Sequence, residues 1–363
     1  MSRKTVLIAG ASGVVGQAAL ECFANAGDCN VIALSRRPPD VAPTLRFTHV
    51  GVDLMDAEAG VSVVASQPAA THLVYAALHE KPDLVAGWRD AQQMATNLAM
   101  FCNLLEPIVA RGALRHVTLL QGTKAYGVHL HRIPVPARES GPRDAHDNFY
   151  WLQEDFLRDA AERQNFSFTI FRPQIIFGDA FRAAMNIIPV LGAYAAICRE
   201  EKRAFTFPGG ASYLLEAVDA GLLARAIHWA GEASTARNQT FNITNGDVFA
   251  WRNVWPSIAD ALGVEAGLET PLSIAGFLEN KSDVWERITA RHNLRKVSLA
   301  ALLGQSHHYA DFCFAHGART DPPDVLVSTI KVRQAGFADC MDTEDMFRGC
   351  FASMRAKRLL PAV

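Results

Sequence analysis

Three glycines set close together near the start of the chain constrain its fold most. Gly10, Gly13 and Gly16 come directly after a short apolar run, Thr5–Ala9. They open Val14–Ala26, a stretch of helical length and composition. Small residues at this spacing let a strand turn tightly into a helix whose first N–H groups face a pyrophosphate. The pattern therefore predicts the first βα unit of a dinucleotide-binding fold, with a purely structural turn as the alternative.

The first half of the chain alternates apolar runs of strand length with stretches of helical length. The expected strands are Thr5–Ala9, Asn30–Leu34, Phe47–Val52, His72–Ala76, His116–Leu120 and Ser167–Phe171. The expected helices are Val14–Ala26, Ala57–Ala65, Val85–Ala110 and Asn148–Arg163. Alternation on this spacing predicts βαβ units, and therefore an α/β fold with a doubly wound parallel sheet of the Rossmann type.

Beyond Gln174 the pattern becomes irregular and more helical. The expected helices are Ala183–Arg199, Ala217–Trp229, Trp251–Leu262 and Thr343–Lys357, and the expected strands are Ala204–Phe207 and Thr240–Ile243. We therefore predict an NADP-binding Rossmann domain over residues 1–175 and a smaller, mostly helical substrate-binding lobe over residues 176–363. Some strands and helices of the second region could return to the first.

Composition excludes several classes of protein. The 363 residues carry 35 Lys and Arg against 37 Asp and Glu, a net charge of −2, so we expect no nucleic-acid or anionic-membrane partner. No apolar run approaches the ~20 residues that a membrane span needs. The seven cysteines are odd in number and form no CxxC pair, which argues against a disulfide framework or a zinc site. A reducing cytoplasm fits this cysteine usage.

The end of the second expected strand bears on the choice of cofactor. NAD enzymes usually carry an acidic residue there, about 20 residues past the glycines, to accept from the ribose 2′-hydroxyl. This chain has Ser35-Arg36-Arg37 instead. Guanidinium groups bind a 2′-phosphate through charge-assisted forked hydrogen bonds, so the segment favours NADPH over a merely solvated basic loop. Asp53 and Leu54, after the third expected strand, are placed to flank the adenine, although Asp53 could equally cap a helix.

The usual YxxxK pair of short-chain dehydrogenases is missing, because no tyrosine of the six has a lysine four residues later. Either the chain is not a catalyst or its lysine comes from another segment. Lys124 stands in Gln121–Gly127, just after the fifth expected strand, and Tyr150 stands in Asn148-Phe149-Tyr150-Trp151 at the start of the next expected helix.

These two segments resemble those of the progesterone 5β-reductase and iridoid synthase family, atypical NADPH-dependent short-chain dehydrogenases/reductases that act on enones. The resemblance extends to Ser35–Pro38, Phe171–Gly178, Tyr194–Cys198 and Phe241–Phe249, and covers the chain from residue 5 to the C-terminal helix. It implies an extended short-chain dehydrogenase fold. Family members often carry a histidine after the lysine and a phenylalanine about six residues on, where this chain has Ala125 and Leu130.

The resemblance implies a role for individual residues. Tyr150 is the catalytic tyrosine and Lys124 its partner, on one wall of a cleft between the two lobes. The residues expected to contact the cofactor are Gly10, Ser12, Gly13, Val14, Val15, Gly16, Ser35, Arg36, Arg37, Asp53, Leu54, Ala76, Gln121, Lys124, Tyr150, Pro173 and Ile176, the last through its backbone N–H. The residues expected in the substrate pocket are Leu130, Asn186 and Tyr309.

The implied function is an NADPH-dependent reduction of activated C=C bonds in small apolar enones. A phenol aimed at the carbonyl oxygen stabilises the enolate, and we expect Lys124 to favour the tyrosinate form of Tyr150. The enzymatic alternatives are carbonyl reduction and sugar-nucleotide epimerase/dehydratase chemistry. The alternative of another class is a non-catalytic NADP(H)-binding regulator. The oligomeric state stays open, with a homodimer as one alternative.

Structural explanations compete with these roles. Tyr150 could pack on the core as a helix aromatic, Lys124 could be a solvated loop lysine, and Asn148 could serve only as a helix cap. Glu154 and Asp155 are expected to favour the first helical turn electrostatically. The histidines at 129 and 131 are spaced poorly for metal ligands, so no metal site is predicted.

Overall fold

The computed structural model describes residues 4–81, 87–210 and 212–363, which divide into two compact units. The first unit consists of the chain up to Gln174 together with Ala220–Thr244 and Val327–Asp339. The second consists of Ile175–Asp219, Asn245–Leu326 and Cys340–Val363. Two segments of the second half of the sequence therefore belong to the first unit. The assignment of cofactor and substrate binding to particular domains remains a prediction.

The strands, in chain order, are β1 (Lys4–Ala9), β2 (Cys29–Ser35), β3 (Thr48–Gly51), β4 (His72–Tyr75), β5 (His116–Leu120), β6 (Ser167–Pro173), β7 (Ile175–Phe177), β8 (Phe205–Thr206), β9 (Ala217–Asp219), β10 (Gln239–Ile243) and β11 (Ala266–Gly267). Seven of them form one sheet in the order β10-β6-β5-β4-β1-β2-β3, and every neighbouring pair is parallel. Six of these strands follow the Rossmann order 3-2-1-4-5-6, so the predicted fold class is confirmed.

The helices, in chain order, are α1 (Val14–Ala26), α2 (Ala57–Ser66), α3 (Ala91–Ala110), α4 (Phe149–Gln164), α5 (Ile188–Glu200), α6 (Ala220–Ala230), α7 (Trp251–Leu262), α8 (Ile274–Leu278), α9 (Ser282–Arg291), α10 (Leu299–Leu303), α11 (Ser306–Cys313), α12 (Ile330–Gln334) and α13 (Thr343–Ala356). Two 3₁₀ helices span Thr123–Tyr126 and Ser234–Ala236. Within the described ranges, no helix has both the length and the apolar character that crossing a membrane requires.

Helices cover both faces of the large sheet, as a doubly wound fold requires. Alternate residues of its strands, among them Leu7, Ile32, Leu73 and Val117, pack into one apolar cluster with side chains of α2, α3 and α4. This alternation arises because successive side chains of a strand point to opposite faces. Helix α1 lies against β1 and β2 and packs along α6.

The second unit has its own apolar core, built mainly from helices. Two short parallel pairs, β7 with β9 and β8 with β11, accompany them. Trp251, Trp255 and Trp285 are buried in this core. The ring of Trp255 stacks on Phe205 with centroids 4.5 Å apart.

Two expected helices begin later than the composition suggested. Helix α3 starts at Ala91 because Asp90 caps it, accepting a hydrogen bond of 2.7 Å from the N–H of Gln93. The expected start at Val85 lies outside the described residues, but residues 87–90 precede the helix. Helix α5 starts at Ile188 rather than Ala183, with a proline in its first turn, where the missing N–H costs no helical hydrogen bond.

The expected helix over residues 217–229 is wrong in its first turn. Ala217–Asp219 forms β9 and pairs with β7, and the helix begins only at Ala220. Pairing with a distant strand overrides local helix propensity here. The short helices α8 to α12 were not predicted, because elements of five to ten residues carry too little periodicity to be recognised.

Two histidines on neighbouring strands make the first unit sensitive to acid. Nδ1 of His116 lies 2.9 Å from Oγ of Ser167, whereas its Nε2 is buried with no partner among the described residues. The ring of His72 lies 6.2 Å away. Burial, aided by the nearby charges of His72 and Arg237, lowers the pKa of His116 to about 3. Burial also lowers the pKa of His72 to about 4.

We expect the free energy of unfolding to fall as the pH drops below about 6.5. There the unfolded chain protonates both histidines while the folded chain does not, and each contributes a slope of about 1.4 kcal/mol per pH unit. Urea titrations between pH 7.5 and 4.5 measure this. His116→Gln should flatten the slope, whereas the exposed His316→Gln should not. Equal slopes for wild type and His116→Gln would contradict the assignment.

Candidate active site

The glycine turn between β1 and α1 forms a cradle of backbone atoms, and it leaves no room for a side chain at Gly10 or Gly16. Gly10 has a φ of +79°, and a Cβ there would lie 2.6 Å from the carbonyl oxygen of Ala76. A Cβ on Gly16 would overlap the backbone of Gly10. Helix α1 has no side-chain cap and no acidic residue in its first turn. Its first N–H groups are therefore suited to an anion such as a pyrophosphate. The predicted contacts Ser12, Val14 and Val15 lie in this same turn.

The end of β2 presents two arginines to solvent. Arg36 and Arg37 are exposed, and Oγ of Ser35 donates to the carbonyl oxygen of Arg37 at 2.6 Å, which fixes the turn. Asp53 accepts from the N–H of Met55 at 3.1 Å, so its carboxylate shapes a local turn, and Leu54 is buried. Guanidinium groups and an anion-binding helix terminus suit a phosphorylated dinucleotide.

Lys124 lies in the 3₁₀ helix that follows β5. Its Nζ stands 3.5 Å from the ring centroid of Trp88, a close cation–π contact. Burial lowers the pKa of Lys124 to about 8, and the negative charge of Glu80 opposes this shift. The lysine is thus a desolvated ammonium group and not a solvated loop residue.

Asn148 joins the segments of Lys124 and Tyr150. Its Oδ1 caps α4 by accepting from the N–H of Tyr150 at 3.0 Å, and its Nδ2 donates to the carbonyl oxygen of Lys124 at 3.3 Å. The hydroxyl of Tyr150 lies close to Gly122, which follows the end of β5. A Cβ built on Gly122 would be only 3.2 Å from the hydroxyl oxygen. The structure therefore brings together two residues that stand 26 positions apart in the sequence.

The electrostatic surroundings of Tyr150 differ from those expected. Burial raises the pKa of Tyr150, and the negative charge of Glu80 raises it further. The tyrosinate form is therefore disfavoured in the protein alone, and the effect expected of Lys124 on Tyr150 stays a prediction. A phenol that keeps its proton can donate a hydrogen bond. Glu80 was missed from the sequence, since a lone acid after a strand carries no recognisable motif.

A buried polar network supports the start of α4. Nε2 of Gln121 donates to Oε2 of Glu154 at 2.7 Å and to the carbonyl oxygen of Tyr150 at 3.3 Å. Nε of Arg172 donates to Oε1 of Gln121 at 2.8 Å. Nη2 of Arg158 also pairs with Oε1 of Glu154 at 2.8 Å. The expectation that Glu154 and Asp155 favour the first turn of α4 is wrong, because both lie beyond that turn. Glu154 instead organises buried groups, a role that could not be seen without the fold.

Three other predicted contacts differ in their surroundings. Pro173 ends β6, with its carbonyl oxygen near Gly122, whereas Ile176 lies in β7 of the second unit. The side chain of Leu130 is exposed. The cofactor and pocket roles of these residues remain predictions.

Two predicted pocket residues belong to the second unit. Asn186 is buried, and its Nδ2 donates to the carbonyl oxygens of Gly178 at 2.7 Å and Ala180 at 2.6 Å, which makes it a structural support there. Tyr309 stacks on Phe312 with centroids 6.1 Å apart. A role of either residue in substrate binding remains a prediction.

The chain is similar to one family model, to curated relatives and to a solved structure of the same fold. Residues 6–244 match the model of the NAD dependent epimerase/dehydratase family. The chain is 30% identical over 379 residues to (S)-8-oxocitronellyl enol synthase of Antirrhinum majus, covering 99% of this chain and 93% of that protein. It is 31% identical over 314 residues to 3-oxo-Delta(4,5)-steroid 5-beta-reductase of Arabidopsis thaliana, covering 81% and 79%. The structure of Bordetella bronchiseptica WbmH with NAD+ has the same fold, with a TM-score of 0.64, 15% identity and coverage of 98% and 99%.

Glu154→Gln should destabilise the protein by about 3 kcal/mol, because it removes the charge that buried Arg172 needs. The neighbouring Asp155→Asn is the matched control. Asp155 is exposed and pairs only on the surface with Arg143 at 2.7 Å, so its loss should cost less than ~1 kcal/mol. Urea unfolding measures both, and equal losses would refute the assignment of Glu154 as the organising group.

Proposed function

Because this chain belongs to the progesterone 5β-reductase and iridoid synthase family within the NAD dependent epimerase/dehydratase proteins, we propose that it is an NADPH-dependent reductase of activated C=C bonds in small apolar enones. The family predicted from the sequence is thereby confirmed. The observation that carries the proposal is the pair of Lys124 and Tyr150, joined by Asn148 in a chain without YxxxK.

The cofactor proposal rests on the first unit alone. The glycine cradle and the uncapped start of α1 suit the pyrophosphate of a nicotinamide dinucleotide. The exposed Arg36 and Arg37 favour a 2′-phosphate, and with it NADPH over NADH. When bound, this cofactor supplies the hydride. The seven cysteines are odd in number and contain no CxxC pair, which fits a reducing compartment, for which we propose the cytoplasm. A homodimer remains a prediction.

Tyr150 provides the hydrogen-bond donor that this reaction needs from the protein. Reduction at the β-carbon of an enone places negative charge on the carbonyl oxygen. The hydroxyl of Tyr150 keeps its proton, because burial and Glu80 raise its pKa, and it can donate a hydrogen bond to that oxygen. The ammonium group of Lys124 adds positive potential to the same site. Asn148 and Gln121 hold the backbone of Tyr150, so the donor is oriented before substrate arrives.

Product analysis tests the function. With NADPH and 2-cyclohexenone we expect the saturated ketone, measured by gas chromatography and NADPH absorbance. An allylic alcohol would indicate a carbonyl reductase, and NADPH binding without turnover would indicate a regulator. Tyr150→Phe should lower kcat about 10²–10³-fold, as for loss of an oxyanion-hole donor, with NADPH affinity unchanged. Tyr194→Phe, which also removes a buried phenol, should leave kcat unchanged.

Cofactor preference tests the role of the two arginines. Arg36→Ala combined with Arg37→Ala should weaken NADPH binding by about 3 kcal/mol and leave NADH binding nearly unchanged, because charge-assisted hydrogen bonds contribute ~1.5–3 kcal/mol each. Isothermal titration calorimetry measures both affinities. Arg319→Ala, an exposed arginine of the second unit, is the control. Equal affinity of the wild-type protein for NADPH and NADH would refute the preference.

A further inference from the structure

The segment that follows β4 is fixed by two amides of α3. Nδ2 of Asn97 donates to the carbonyl oxygen of His79, and Oδ1 of Asn97 accepts from the N–H of His79, both at 2.9 Å. Oε1 of Gln93 accepts from the N–H of Lys81 at 2.9 Å. Gln93 is 1% exposed and Asn97 is fully buried. The backbone on both sides of Glu80 is therefore held in place.

Gln93 also holds the carboxylate of Glu80. Nε2 of Gln93 donates to its Oε2 at 2.8 Å. Its other oxygen, Oε1, is buried, and a hydrogen bond with the side chain of Trp88 also favours the charged form of Glu80. Gly87 lies close to Gln93, since a Cβ there would be 2.6 Å from the Gln93 amide oxygen. Buried polar groups therefore orient this carboxylate.

Trp88 connects Glu80 to the active-site pair, because its side chain hydrogen-bonds with Glu80 and its ring centroid lies 3.5 Å from Nζ of Lys124. Its negative charge raises the pKa of Lys124 and the pKa of Tyr150, each against a background of burial. Burial raises the pKa of Glu80 itself, and the charge of Lys124 opposes this. His129 lies beside Trp88, with ring centroids 6.3 Å apart; burial and the charge of Lys124 lower the pKa of His129 to about 4, so that it is neutral at pH 7.

Other charges near this segment are already engaged. Nζ of Lys81 pairs with Oδ2 of Asp90 at 2.7 Å, on the exposed side of the segment. Asp144 faces His131 and His146 at 2.8 and 2.7 Å, and Arg89 donates to the carbonyl oxygen of His129 at 3.3 Å. Among these groups Glu80 is the carboxylate that acts on both Lys124 and Tyr150.

We propose that Glu80 is a positioning residue of the active site: it is the counter-ion that keeps Lys124 charged and Tyr150 protonated. This inference rests on the proposed function for its effect on turnover, but the pairing itself does not depend on it. Without a counter-ion, a desolvated lysine loses its proton as the pH approaches neutrality. The negative charge also opposes ionisation of the phenol, which must keep its proton to act as a donor. Glu80 would thus set the pH range over which both groups are in their working states.

The dependence of kcat/KM on pH tests this proposal. In the wild-type enzyme we expect activity to fall as Lys124 deprotonates near pH 8. In Glu80→Gln the fall should move about one pH unit lower, because an opposite charge nearby changes a pKa by one to three units. Activity at pH 6 should change little, whereas activity at pH 8 should drop about 5-fold. Tyr150 ionises at higher pH and does not enter this range.

Two variants separate the charge of Glu80 from its packing. Asp90→Asn removes a neighbouring charge and keeps a good helix cap, so its profile should match that of the wild type. Glu80→Asp keeps the negative charge, so its pH profile should return most of the way from that of Glu80→Gln to that of the wild type. Superimposable profiles of wild type and Glu80→Gln would overturn the proposal. So would an equal shift in Asp90→Asn, or a Glu80→Asp profile equal to that of Glu80→Gln.

A double-mutant cycle tests the pairing without any turnover. Each of Glu80→Gln and Lys124→Met leaves one buried charge unpaired, so the loss of urea midpoint in the double variant should be smaller than the sum of the single losses. Additive losses would overturn the proposal. If enones are not reduced but the losses are non-additive, the proposed function fails while the electrostatic coupling of Glu80 and Lys124 stands.

Discussion

Parallel hydrogen bonding among β4, β5 and β6 is the constraint on which the site depends. Parallel strands end at one edge of a sheet, so whatever follows each strand is delivered to the same place. Glu80 comes after β4, Lys124 comes after β5, and the last carbonyl of β6 lies near Gly122. Helix α4 then returns Tyr150 to this edge, where Asn148 ties it to the Lys124 backbone. The backbone ladder therefore replaces the single helical turn that brings tyrosine and lysine together in YxxxK proteins.

Desolvation governs the chemistry of the groups assembled there. Burial alone favours the neutral forms of Lys124, Tyr150 and Glu80. A neutral phenol suits a hydrogen-bond donor, but a neutral lysine loses its electrostatic effect on a developing enolate. An acid and a base buried together each favour the charge of the other, whereas a phenol near the acid keeps its proton. Gln93 and Asn97 hold the acid in place.

The sequence was sufficient wherever local pattern and final structure coincide. Helices α1 and α7 begin and end at the predicted residues, since apolar spacing and flanking glycines define them. The family, and with it the candidate pair Lys124 and Tyr150, also followed from short segments. The strand β9 could not be predicted from the sequence, because its pairing with β7 involves residues about 40 positions away. The roles of Glu80 and Glu154 could not be predicted either. Their importance comes from burial among partners on other elements, and neither residue belongs to a motif.

The discontinuity of the first unit also determines the order in which it can be completed during synthesis. Strand β10 pairs with β6 and forms one edge of the sheet, yet it leaves the ribosome after β7, β8 and β9 of the second unit have already emerged. Until then the N–H and C=O groups along β6 are a free edge, which is prone to pair with other chains. The nascent chain must therefore keep an almost finished sheet open while part of another folding unit is made. A chaperone that shields strand edges acts most usefully in that interval.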